Sequence, residues 1–237
     1  MLSVIVRTVE RVDRLREALE SLAAQSRRDF EVVVVDMSRG KASSVIKDLK
    51  KRVPALVHVR MRWRVLSRPA ALNAGIKRAS GQYIAILDDD NCWEPSHAES
   101  ILAAVEKSGA DLVYTGVRRV GLTPDGNTTL QEDTSYEPFD AAKLLRGNYI
   151  YSSATTFRKS IWCDVGGYDE AFPVYEDWEF LIRATRGRAV VSLPVFSAIS
   201  RNFTGRFLVP EHSLNEADDC ARCLAAIRSK HGVADPQ

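Results

Sequence analysis

Apolar residues recur along the first half of the chain in two alternating patterns. Residues 2–6 form a short run built on Leu2, Val4, Ile5 and Val6, and over 13–25 the apolar positions Leu15, Ala18, Leu19 and Leu22 return at steps of three and four. The first pattern predicts a strand buried on both faces, the second an amphipathic helix. The pair then repeats. A valine run over 31–35 ends at Asp36, and helical spacing follows over 43–52 through Val45, Ile46 and Leu49. A third strand is expected over 56–59, a helix over 70–79, and a fourth strand over 83–87 that stops at three consecutive aspartates. A helix over 95–108 and a strand over 110–120 continue the series. Strands alternating with helices predict a mainly parallel, Rossmann-like α/β sheet flanked by helices, with ligands outside the carboxyl ends of the strands. Asp36 and Asp88 both fall at such ends.

Beyond residue 120 the regularity weakens. Pro124-Asp125-Gly126-Asn127 marks a hairpin or excursion within 121–137. Helices are expected over 176–185 and 214–230, and between them a strand over 189–199 that Pro194 interrupts or bounds. A length of 237 residues suits one domain with one sizeable core. Its parts read as a ligand-binding half over 1–120, a second half over 121–205, and a carboxyl-terminal loop and helix over 206–237.

Composition narrows the function classes. With 45% hydrophobic and 27% charged residues the chain is ordinary globular material, and 33 basic against 31 acidic residues leave no electrostatic footprint for nucleic acid. Local basicity gathers at Arg60, Arg62, Arg64 and Arg68 around Trp63, which either meets a phosphate or decorates a strand edge. No apolar run approaches the ~20 residues of a membrane span, and no leader sequence is evident. Four cysteines, Cys92, Cys163, Cys220 and Cys223, fit a reducing cytoplasm rather than a disulfide framework. Cys220-x-x-Cys223 with His231 lacks the second ligand pair of a zinc site and reads as a helix face.

The chemistry centres on Asp88-Asp89-Asp90. Three carboxylates directly after a buried strand repel one another unless a cation or several donors share the site. Mg2+ or Mn2+ takes oxygen ligands, commonly one or two carboxylates plus substrate phosphates. The plain alternative is a solvated cap before the following helix.

The stretch Ser80-Gly81-Gln82-Tyr83-Ile84-Ala85-Ile86-Leu87-Asp88-Asp89-Asp90-Asn91 resembles the DXD segment of the family 2, GT-A-fold inverting glycosyltransferases. Residues 3–25 resemble that family's opening strand and helix, 31–36 its base-recognising strand, and Ala71-Leu72-Asn73-Ala74-Gly75 its helix before the DXD strand. Gly166-Gly167-Tyr168-Asp169-Glu170-Ala171-Phe172 and Tyr175-Glu176-Asp177-Trp178-Glu179 resemble its acceptor-side loop and ED motif. The resemblance implies a GT-A fold and a Mn2+ or Mg2+ cofactor. It also implies transfer of a sugar from a nucleotide diphosphate sugar, UDP- or dTDP-linked, to a hydroxyl of a glycan, lipid-linked saccharide or small molecule. A lipid acceptor would bring the chain to the inner face of a membrane without crossing it.

Carried over position by position, the resemblance assigns Asp36 to the nucleotide base, with Thr8, Val9 and Glu10 lining the same pocket and Arg68 and Asn73 on the donor side. Asp88 and Asp89 would face the ribose and sugar phosphate, and Asp90 would be the principal metal ligand. Asp177 would be the general base, with Glu176 beside it. Gly167, Tyr168, Asp169 and Trp178 would meet the acceptor, although a tryptophan beside Phe180 and Leu181 is as often core as the wall of a sugar site. His212, in a stretch read as loop together with Arg201 and Arg206, would reach the diphosphate or the metal.

The chain also departs from the pattern. Arg7-Thr8-Val9-Glu10-Arg11 stands where relatives commonly show proline, threonine, an aromatic residue and asparagine; Met37-Ser38 follows Asp36, and Leu72 occupies a frequent arginine position. These departures bear on base preference and donor affinity. Two other readings remain open here. One is a non-catalytic module of the same fold that binds a glycan or a partner. The other is a sugar-1-phosphate nucleotidyltransferase, against which the glycine-free loop 7–12 argues.

Overall fold

Each strand and helix expected of the first 120 residues is present. A computed structural model describes residues 1–61, 67–123, 125–203 and 216–233. In chain order these are β1 (Leu2–Thr8), α1 (Val12–Ala23), β2 (Phe30–Asp36), α2 (Ser43–Leu49), β3 (Leu56–Arg60), α3 (Arg68–Arg78) and β4 (Tyr83–Asp88). Then come β5 (Cys92–Trp93), α4 (His97–Ser108), β6 (Leu112–Leu122), β7 (Thr129–Ser135), α5 (Ala141–Arg146), a 3-10 turn (Ser152–Ala154) and β8 (Thr155–Arg158). Finally α6 (Lys159–Asp164), α7 (Glu176–Thr185), β9 (Val190–Phe203) and α8 (Glu216–His231) complete the described chain.

The strands form one sheet in the order β3-β2-β1-β4-β8-β6-β9-β5, with β7 paired to β6 as the expected hairpin. The sheet is mostly parallel: β1–β2, β1–β4, β2–β3 and β6–β9 run together. The short strand β8 lies antiparallel between β4 and β6. Its sequence, Thr155-Thr156-Phe157-Arg158, is too short and too polar to announce a buried strand, so the pattern missed it.

Alternation along the strands divides the core into two layers. Leu2, Val4 and Val6 of β1 pack with Leu15, Leu19 and Leu22 of α1 on one face, while Ile5 joins Val33, Val35, Ile84, Ile86 and the α3 and α7 side chains on the other. A near-continuous apolar strand is the sequence trace of this double cover. On the second face α3 lies very close to the sheet. A Cβ at Gly75 would come within 2.6 Å of Ile5 Cγ2 and 2.9 Å of Val35 Cγ2, so only glycine allows that approach.

One boundary differs from expectation. Strand β9 runs through Pro194 to Phe203, which places Arg201 in a strand rather than a loop. Its pairing with β6 shifts register, holding from Val190 to Leu193 and resuming at Ala198. Pro194 falls in the interval, where its missing N–H breaks no ladder bond.

Candidate active site at the strand ends

Three adjacent parallel strands, β2, β1 and β4, finish together. Thr8 stands in register with Asp36, and Arg7 with Asp88. Asp36 is 2% exposed. Its Oδ1 accepts from Ser38 N at 2.8 Å and from Ser38 Oγ at 2.5 Å, and its Oδ2 lies 3.0 Å from His58 Nε2. The carboxylate is thereby fixed, with lone pairs to spare for a further donor. Thr8 is buried and its Oγ1 has no hydrogen-bond partner. Val9 is half-buried, while Glu10 is exposed and pairs with Lys41 at 3.0 Å.

The aspartate run is held by arginines. Arg7 Nε donates to Asp88 Oδ1 at 2.8 Å, and Arg11 pairs with Asp89 at 2.6 Å and also with Asp90. Arg201 donates to the Asp90 carbonyl oxygen and pairs with Glu17, and its backbone N–H donates to Asn91 Oδ1 at 2.9 Å. Burial opposes ionisation of Asp88, but Arg7, Arg68 and Arg11 outweigh it and hold its pKa below the usual value. Asp89, fully buried, goes the other way. Desolvation pushes it up to about 7 despite Arg11, with Asp90 and Asp88 adding repulsion.

Glu176 and Asp177 open α7. The chain enters the helix through Tyr175, whose φ is +60°, and Asp177 Oδ1 accepts the N–H of Trp178 at 2.8 Å. Asn148 Nδ2 reaches Asp177 Oδ2 at 3.2 Å. Glu176 is 2% exposed and lies between two guanidinium groups, Arg7 NH1 at 2.7 Å and Arg68 Nε at 3.1 Å. Burial, and then the Glu176 charge, push the Asp177 carboxyl up to about 6 against Arg68 and Arg7. A half-buried carboxylate at that value is poised to take a proton near neutral pH.

The other expected site residues are placed differently. Asn73 is consumed in structure: its Oδ1 accepts from Trp162 Nε1 and Tyr168 N, both at 2.9 Å, and its Nδ2 donates to the Tyr168 carbonyl at 2.9 Å. It ties α3 to the 166–170 loop, and no side-chain atom is left to face a donor. Gly167 adopts φ +80° in that loop. Tyr168 is buried and stacks on Phe180 with centroids 4.2 Å apart. Trp178 is 3% exposed and donates to the Leu144 carbonyl at 2.6 Å, so its ring is core rather than the wall of an open cleft. Asp169 pairs with Lys230 of α8 at 2.7 Å. His212, with Arg206, Arg62, Trp63 and Arg64, lies outside the described residues. The sequence reading passed over Arg7, Arg11, His58 and Asn148. The strand register accounts for the first, setting the Arg7 cation beside Asp88, a pairing that spacing along the chain does not show.

The donor set suits a hard divalent cation in kind. Asp89 is buried with neither oxygen in an aligned hydrogen bond, and Asp90, with its side chain 22% exposed, is the most open of the three. Among the described residues no three His, Cys, Asp or Glu side chains form a ready cage. A cation here would draw on Asp90, in place of Arg11, and on substrate phosphates.

Comparison with known proteins follows the same outline. The family described as Glycosyl transferase family 2 matches residues 3–164. An uncharacterized glycosyltransferase of Bacillus subtilis, YwdF, is 27% identical over 203 residues, covering 84% of this chain and 73% of that protein. The crystal structure of Staphylococcus aureus TarS 1–349 in complex with UDP-GlcNAc superposes with a TM-score of 0.78 at 18% identity, covering all of this chain and 68% of that one. The mannosyltransferase PcManGT of Pyrobaculum calidifontis, in complex with GDP-Man and Mn2+, superposes with a TM-score of 0.67 at 17% identity, covering 99% of this chain and 65% of that one. These likenesses establish the fold as that of the GT-A structures.

Proposed function

The chain belongs to glycosyl transferase family 2, and from that premise we propose that it transfers a sugar, with inversion, from a UDP- or dTDP-sugar to a hydroxyl of a glycan, lipid-linked saccharide or small molecule. The observation that carries this reading is the meeting of the two halves of such a reaction in one site. Asp88 opens the aspartate run at the end of β4, and Glu176 and Asp177 open α7, with Arg7 bonded to both Asp88 and Glu176. The complexes of TarS with UDP-GlcNAc and of PcManGT with GDP-Man support a nucleotide sugar as donor.

In this reading Thr8 and Asp36 receive the nucleotide base at the ends of β1 and β2, and Asp88 and Asp89 face the ribose and sugar phosphate. The acceptor oxygen attacks the anomeric carbon from the face opposite the leaving group. Its proton passes to Asp177, while the bond to the diphosphate oxygen breaks and its electron pair leaves with the nucleotide diphosphate. One displacement inverts the anomeric centre and needs no enzyme nucleophile. Mn2+ or Mg2+, held through Asp90, would supply Lewis-acid stabilisation of the diphosphate charge. Glu176, locked between Arg7 and Arg68, keeps Asp177 at the helix start and raises its basicity.

The test is a panel of UDP-, dTDP- and GDP-sugars with Mn2+ or Mg2+, read by nucleotide diphosphate release and by thermal stabilisation. One uridine or thymidine nucleotide should raise the melting temperature, and Asp90→Ala should abolish the effect. A protein that binds none of these nucleotides with either metal contradicts the proposal.

A further inference from the structure

Arg7 is the only side chain among the described residues that is bonded both to the aspartate run and to the Glu176–Asp177 pair. It is 7% exposed. Its Nε meets Asp88 Oδ1 at 2.8 Å, and its NH1 meets Glu176 Oε1 at 2.7 Å, a residue 169 positions away. The β1–β4 register sets Arg7 beside Asp88, and the entry of α7 brings Glu176 to its far side. A guanidinium is a planar fork whose separate N–H groups can address two carboxylates at once at fixed angles; an ammonium, as a point charge on a flexible stem, does not fix both. The segment 7–11, which departs from the pattern the resemblance implies, therefore contributes a rigid connector.

We propose that Arg7 is a positioning residue for the transfer reaction, locking donor-side Asp88 and base-side Glu176 into one arrangement so that Asp177 is aimed at the acceptor hydroxyl when the donor is seated. This rests on the transferase reading above. A buried ion pair can serve packing alone. Here each end of the fork lies next to a group the reaction uses. Arg68 shares Glu176 at 3.1 Å from the start of α3, so Glu176 keeps a cation when Arg7 is removed. The helix start is thereby held from two elements of the donor half.

The surroundings of Asp177 define what a change at Arg7 must do. On its own helix it faces Glu176, from α3 Arg68 and from β1 Arg7; the hydroxyls of Tyr168 and Tyr175 feel its charge, and Asn148 donates to it. Removing Arg7 takes a cation from the base while Arg68 keeps Glu176 ionised, so the base becomes harder to deprotonate. Removing the Glu176 charge has the opposite effect.

The experiment is the pH dependence of nucleotide diphosphate release from the best donor of the panel, for the wild type, Arg7→Met, Arg7→Lys and Glu176→Gln, with melting temperatures alongside. Arg7→Met should lower kcat roughly 100-fold, as expected of a misplaced reactive group, and move the acidic limb of the profile upward by about one unit. Arg7→Lys should recover part of kcat and leave the limb near its wild-type position. Glu176→Gln should move the limb downward. If Arg7→Met does not fold, the Lys and Gln variants still separate charge from geometry. The inference is overturned if the wild type is active and either Arg7 variant keeps kcat within about threefold, or if kcat and melting temperature fall in Arg7→Met while its acidic limb stays in place. A wild type that turns over no donor removes the transferase reading, and this inference with it.

Discussion

Asp177 owes its raised pKa to two features set by its neighbours in sequence: burial at the start of α7 and the Glu176 charge beside it. As a general base it must be ionised to work, so the sign follows directly. The rate should rise as pH climbs through about 6 and level off above it, falling about tenfold per unit on the acidic side. A kcat profile with no acidic limb between pH 5 and 7 would count against that role. The candidate residues stood out in the sequence because consecutive carboxylates after an apolar strand repel one another unless something offsets their charge. Their partners stood out less. Arg7 and Arg11 looked like departures from a pattern, because one-dimensional spacing does not show that Arg7 lies in register with Asp88 or that Arg11 reaches both Asp89 and Asp90. The aromatic residues were ambiguous for the converse reason. The ring of Trp178 could stack on a sugar or lie in the core, and it lies in the core, with its Nε1 donating to the Leu144 carbonyl.

Helix α3 shows how packing of one element sets the site. Ser67 accepts from Ala70 N at 3.3 Å, Pro69 sits in its first turn, and its first residue is Arg68, delivered to Glu176. Its depth on the sheet depends on Gly75. Gly75→Val should therefore cost roughly 1–3 kcal/mol in urea unfolding through overpacking against Ile5 and Val35, and lower donor turnover by displacing Arg68. A variant as stable as the wild type would show that the helix has slack. Periodicity revealed α1 to α4 and α7 within a few residues because each presents one apolar stripe to a buried sheet. It failed for β8, α5 and α6, which run four to six residues, too short for a period to emerge. Strand β9, expected over 189–199 with Pro194 interrupting or bounding it, runs unbroken to Phe203, because the register shift that accommodates a proline is a property of the pair of strands.

The molecule as described is one sheet whose parallel half gathers Thr8, Asp36 and the aspartate run and whose antiparallel insertion, β8, leads through α6 and the 166–175 loop to Glu176 and Asp177. Asn73 ties that loop back to α3, and Glu179, with Arg183 on its own helix and Lys230 of α8, ties α7 to α8. Among the described residues no helix is long and apolar enough to cross a membrane. In the proposed reaction, donor binding and proton removal belong to different residues of one connected site. The most direct measurement compares wild type with Asp177→Asn for two quantities, nucleotide diphosphate affinity in the presence of Mn2+ and the rate of sugar transfer. The expected result is an affinity within about threefold of wild type and a rate lower by roughly 100-fold or more. An Asp177→Asn protein that transfers sugar at the wild-type rate would contradict it.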